Sequence, residues 1–104
     1  MISVVIPVHD EERSVALLHD ELAAALDPLG RPWEAVFVDD GSNDGTFSAL
    51  TQLHAEHDNV RVVRFRRNFG KAAALDAGFA EASGEVIVTI DGDLQDDPAE
   101  IPRL

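Results

Sequence analysis

The sequence predicts an α/β domain with a mainly parallel sheet and helices on both faces. Four short apolar, β-branched runs recur along the chain, at Ile2 to Val8, Ala35 to Val38, Val60 to Phe65 and Glu85 to Ile90. Each is followed by turn residues and then a helix-like segment. Continuous apolar runs of this length read as strands buried on both faces. The resulting β-α-β-α-β-α-β order requires parallel strands joined by right-handed crossovers.

The elements follow in order. After the first run, Val15, Leu18, Leu22 and Leu26 recur at helical spacing, and Asp27-Pro28 with Gly30 closes the segment. The second helix is expected from Asp44 to Thr46 onward, where capping side chains precede Phe47, Leu50, Leu53 and His57 on one face. The third spans about Gly70 to Ser83, with Ala72, Leu75, Phe79 and Ala82 as its apolar stripe and Gly84 as its stop. His19, His54 and His57 fall on helices and are expected to be surface or half-buried residues.

A chain of 104 residues makes one domain at most. With 45% hydrophobic and 27% charged residues it has a globular balance. Twenty acidic residues against eight basic ones give a net charge of −12, a field that repels a nucleic-acid backbone. Five of the eight basic residues, Arg61, Arg64, Arg66, Arg67 and Lys71, nevertheless fall within eleven positions. They read either as a solvated strand and loop offsetting the acidic sites or as an anion contact near a phosphate. No aromatic platform is interleaved with them in the manner of a nucleic-acid binder.

Cysteine is absent, which removes disulfides and thiolate metal sites. No basic leader, cleavage site or apolar run near the length of a membrane span is present, so the expectation is a soluble, cytoplasmic chain.

Ligands of parallel sheets sit beyond the carboxyl ends of the strands. There the four runs deliver Pro7-Val8-His9-Asp10-Glu11-Glu12, Asp39-Asp40-Gly41-Ser42-Asn43-Asp44-Gly45-Thr46, Arg66-Arg67-Asn68-Phe69-Gly70-Lys71 and Asp91-Gly92-Asp93-Leu94-Gln95-Asp96-Asp97-Pro98. In the last cluster Asp91, Asp93 and Gln95 stand at i, i+2 and i+4 and share a face if extended. Their oxygen ligands suit Mg2+ or Mn2+, ions usually held by one or two carboxylates together with substrate phosphates. Read structurally, the cluster is a charged turn leading to a helix at Pro98. Asp39-Asp40 reads either as a helix-capping pair in a glycine turn or as a carboxylate for a nucleobase. Glu11 and Glu12 suit a first helical turn, with Glu11 the site candidate. His9 suits a nucleoside pocket better than a metal, since no second ligand accompanies it. Glycine-rich phosphate loops and a serine nucleophile elbow are absent.

These four clusters, in this order, resemble the inverting family 2 glycosyltransferases of GT-A fold, in particular the polyprenyl-phosphate and dolichol-phosphate sugar transferases. The resemblance covers the whole chain and implies the Rossmann-like nucleotide-binding half of a GT-A fold. It implies that Pro7, His9 and Glu11 line the nucleoside, that Asp40 reads the base, and that Lys71 and Gly92 border the nucleotide. Asp91, Asp93 and Gln95 would hold Mg2+ or Mn2+ on the diphosphate, with Asp91 and Asp93 as catalytic groups. His9 and Asp10 replace the aromatic residue and Asn more usual in the family.

The implied reaction moves a sugar from a nucleotide-diphosphate donor, a UDP- or GDP-sugar, to a lipid-phosphate acceptor. This chain would be the donor-binding half of a longer, membrane-associated enzyme and inactive in transfer by itself. Its fourth strand, without further neighbours, would form an apolar edge prone to self-association. A non-catalytic nucleotide- or metal-binding module, or a truncated subunit, is the alternative.

Overall fold

The computed structural model describes residues 1–90. Four strands, β1 (Ile2–Val8), β2 (Trp33–Asp39), β3 (Val60–Arg64) and β4 (Val86–Thr89), alternate with helices α1 (Val15–Leu26), α2 (Thr46–Glu56) and α3 (Lys71–Glu81). They form one parallel sheet in the order β3-β2-β1-β4. A 3-10 turn at Asp27–Leu29 extends α1 and ends at Gly30, whose φ of 67° is left-handed.

Residues alternate between the two faces of the central strands. Val4, Ile6 and Val8 of β1 and Ala35 and Phe37 of β2 pack with Val15, Leu18, Leu22 and Leu26 of α1 and Leu50 and Leu53 of α2. Val5 and Val38 point to the opposite face, where α3 lies. The expected stripe of α3 is displaced: Ala74 and Gly78 are the buried positions, whereas Phe79 is exposed. A Cβ on Gly78 would collide with Val5 Cγ1 and come within 3.3 Å of Val38 Cγ2. Small residues spaced four apart thus set α3 against the sheet, and the larger ones flank the contact.

Burial on both faces holds for β1 and β2 but not for the outer strands. In β4, Val86 and Ile87 remain 44% and 43% exposed, because among the described residues β4 pairs only with β1.

His19 is also a correction. It is buried rather than superficial, stacked on His57 with ring centroids 4.1 Å apart and tilted towards Trp33. Trp33 in turn donates its indole N–H to Asp27 at 2.8 Å. The sequence periodicity placed the histidines on helices but could not report the neighbours arriving from β2 and the α2–β3 turn.

The topology sets the carboxyl ends of all four strands on one side of the sheet. The chain steps outward from β1 to β2 to β3 on one side, then returns through α3 on the other face to place β4 beside β1. Connections diverge between β1 and β4, and a crevice opens at the carboxyl ends of strands at such a switch point.

Candidate functional site

The loop after β1 and the loop after β2 are zipped together. The backbone amide of Asp10 donates to Ser42 Oγ at 2.9 Å, and the Asn43 amide donates to Asp10 Oδ1 at 2.7 Å. Asp10 has a φ of 53°, the left-handed region that Asp and Asn tolerate best among residues with a Cβ. The same residue therefore sets the turn and reaches across it. One position later, the Glu11 amide donates to Thr46 Oγ1 at 2.8 Å. Thr46 bonds Asp44 through both its amide and its hydroxyl, and the hydroxyl bond holds the Asp44 carboxyl below the ordinary carboxylate range. Asp39 Oδ1 accepts from the Ser42 amide at 3.0 Å, which fixes the turn out of β2.

Asp40 ties this pair of loops to a third. Its Oδ1 accepts from the Phe69 amide at 2.8 Å and its Oδ2 from the Gly70 amide at 3.1 Å. Gly41 permits the approach: its φ is 69°, and a Cβ there would overlap the backbone of Arg67 and Asn68. Asp40 is 5% exposed, so this carboxylate is chiefly a clamp on the β3–α3 loop. Each carboxylate oxygen has a second lone pair, leaving room for a further donor.

His9 stands on the rim above Asp40. Its Nδ1 lies 2.9 Å from the Asp40 carbonyl oxygen, an acceptor only, so Nδ1 carries the proton in that bond. Nε2 lies 3.3 Å from Asp10 Oδ2, and the Asn68 side-chain nitrogen lies 3.4 Å from Nδ1. Asn68 was not singled out in the sequence beyond its place in Arg67-Asn68-Phe69-Gly70-Lys71. Its proximity to a residue 59 positions away is visible only in three dimensions.

Pro7, half-buried near the end of β1, and Glu11 belong to the same rim. Beside them an acidic cleft of about 300 Å3 is lined by Asp10, Glu11, Glu12, Arg13, Ser14 and Asp44. Lys71 opens α3, next to the loop that Asp40 holds. Asp91, Gly92, Asp93 and Gln95 lie outside the described residues. β4 nevertheless runs parallel to β1 towards this rim, and the Ile90 amide still bonds to Val5. Among the described residues no group of three or more His, Asp or Glu is arranged to hold a metal.

The basic cluster of the sequence is divided. Arg61 belongs to the other end of the sheet: it bonds Glu81 Oε2 at 2.9 Å and Ser83 Oγ at 3.0 Å, and lies 3.7 Å from the buried Glu34. Glu34 also accepts from Ser3 Oγ at 2.6 Å and from the Ser83 amide at 2.7 Å, fastening the α3–β4 turn to β1 and β2. Arg61 is thus a structural residue and no phosphate contact. Arg64 and Arg67 instead lie over aromatic rings, with guanidinium carbons 4.1 Å and 4.8 Å from the ring centres of Phe47 and Phe69.

Known proteins resemble this chain in sequence and in architecture. An undecaprenyl-phosphate 4-deoxy-4-formamido-L-arabinose transferase of Pectobacterium atrosepticum is 45% identical over 104 residues, covering 99% of this chain and 32% of the relative. The same-named protein of Salmonella enteritidis is 42% identical over the same coverage. The chain thus spans about a third of the length of these relatives. Among solved structures, a mannosyltransferase of Pyrobaculum calidifontis in complex with GDP-Man and Mn2+ superposes with a TM-score of 0.78 at 30% identity, over 88% of this chain and 27% of that one. Glucosyl-3-phosphoglycerate synthase of Mycobacterium tuberculosis superposes at 0.70 and 31% identity, over 98% and 38%. The parallel sheet and its helices share the GT-A fold of these glycosyltransferases. The glycosyl transferase family 2 model matches residues 3–104, and the chain belongs to that family.

Proposed function

We propose that this chain is the donor-binding half of an inverting glycosyltransferase that moves a sugar from a UDP- or GDP-sugar to a polyprenyl phosphate. The observation that carries the reading is the Asp40 clamp at the carboxyl ends of the strands, where the loops after β1, β2 and β3 meet on one rim. The names of the relatives support a polyprenyl-phosphate acceptor, and the GDP-Man and Mn2+ of the mannosyltransferase support the donor class and the metal.

Pro7, His9 and Glu11 would line the nucleoside. Asp40 would accept from the base through its remaining lone pairs while holding the Phe69 and Gly70 amides. Lys71 and Gly92 would border the diphosphate. Asp91, Asp93 and Gln95 supply the oxygen ligands for Mg2+ or Mn2+, and a bound cation stabilises negative charge on a departing diphosphate. A polyprenyl phosphate is largely ionised at neutral pH, so little help from a general base is required for its attack on the anomeric carbon. No helix among the described residues is long and apolar enough to cross a membrane.

Nucleotide selectivity tests the reading. Titration of the chain with UDP, GDP, CDP and ADP should reveal binding of UDP or GDP in preference to the other two. Equal, weak binding of all four would count against a base-reading pocket.

A further inference from the structure

We propose that the end of β3 and the loop after it, carrying Arg64, Arg66, Arg67 and Phe69, form a surface that docks on the anionic phospholipid headgroups of a bilayer. The proposal rests on the reading that the acceptor is a lipid phosphate, and it names how the rim would be brought to that lipid.

Charge is the first argument. In a chain of net charge −12, these arginines are exposed, and none of the three makes an ion pair with a carboxylate among the described residues. Among the described residues, Arg61 alone of the β3 arginines is paired with carboxylates. Planar guanidinium groups bind phosphate oxygens in pairs, and cationic clusters are drawn to anionic leaflets.

The second argument is apolar. Phe69 is 54% exposed, with Phe65 set edge-on to it at 5.5 Å and the Arg67 guanidinium over its face. Arg64 lies similarly over Phe47 at the start of α2. An exposed aromatic ring flanked by arginines combines a group suited to the headgroup and acyl boundary with charges that remain at its surface.

Position is the third. β3 is an edge strand, separated from the β1/β4 crevice by β2, so its arginines stand to the side of the donor site. The loop they occupy is nevertheless held by Asp40 through Phe69 and Gly70. Docking there would present the crevice sideways to a bilayer containing the acceptor.

Sedimentation of the full chain with vesicles provides the test. Binding is expected to vesicles of phosphatidylcholine with phosphatidylglycerol, not to phosphatidylcholine alone, and to weaken as salt screens the charges. The Arg64→Gln/Arg66→Gln variant, checked for unchanged circular dichroism, should bind the anionic vesicles on the order of tenfold more weakly. Absence of binding to anionic vesicles, equal binding to neutral ones, or a double variant that binds like the parent would overturn the proposal. UDP and GDP titrations on the same preparation separate the two readings. Nucleotide binding without vesicle binding removes only the docking surface; vesicle binding without nucleotide binding removes only the donor site.

Discussion

The carboxylate of Asp40 and the backbone amide of Phe69 meet at 2.8 Å, joining the end of β2 to the loop after β3 across 29 positions of sequence. Together with the Gly70 bond, this contact gives Asp40 a structural role in the loop that walls the proposed nucleotide site. Asp40→Ala removes a charged acceptor from two amides, a loss of about 1.5 to 3 kcal/mol for a bond to a charged group. Nucleotide affinity should fall more than tenfold, while metal affinity in the absence of nucleotide stays as in the parent. Asp40→Asn keeps one acceptor oxygen and should lie between the two. Calorimetric titration checks both variants, and parental affinity in both would reduce Asp40 to a turn residue.

Gly78 is expected to be intolerant of any side chain. Its would-be Cβ meets Val5 and Val38 on central strands that cannot retreat without disturbing the core beneath. Gly78→Val should destabilise the chain by about 1 to 3 kcal/mol through overpacking, despite the better helix propensity of a residue with a Cβ. Gly78→Ala with Val5→Ala should recover part of that loss. Urea unfolding midpoints of the variants and parent give the comparison.

Much of this was legible from residue order. Val15, Leu18, Leu22 and Leu26 are completely buried because a regular helical stripe has only one way to meet a sheet. Parallel strands deliver their carboxyl ends to the same side, so the four polar clusters are expected on one rim; His9, Asp40 and Asn68 of the first three meet there, and the fourth lies outside the described residues. Contacts dictated by close approach were not legible. The seam of α3 runs along Ala74 and Gly78, residues with low hydrophobic weight, so a stripe drawn through Leu75 and Phe79 was misplaced. Arg61 and Arg64 are three positions apart and similar in type, yet one meets a buried carboxylate and the other an aromatic ring. Only the partner strands and helices distinguish them.

The buried His19 should make stability fall with acidity. Burial lowers its pKa below 6.5, and the neighbouring His57 lowers it further, against raising contributions from the Asn59 hydrogen bond and from Asp20 and Asp27. Its Nδ1 has no hydrogen-bond partner among the described residues. A histidine with a depressed folded pKa takes up its proton more readily when unfolded. Its contribution is therefore present above about pH 6.5 and is lost as the pH falls through that value towards the folded pKa. Thermal midpoints should drop between about pH 7 and pH 5, and less so in His19→Gln. Trp33 is the sole tryptophan and lies 5.6 Å from His19, so its fluorescence follows the transition directly. Identical pH profiles for parent and His19→Gln would remove His19 as the cause.

The proposed donor site binds a nucleotide diphosphate with a divalent cation held by Asp91, Asp93 and Gln95. Calorimetric titration of UDP and GDP in Mn2+ and in chelator, on the parent and on Asp93→Ala, tests it most directly. Mn2+ is expected to strengthen binding of one of the two nucleotides to the parent, and Asp93→Ala to abolish this gain without altering the weaker, metal-free binding. Equal affinity of the parent in Mn2+ and chelator, or an undiminished metal effect in Asp93→Ala, would contradict it.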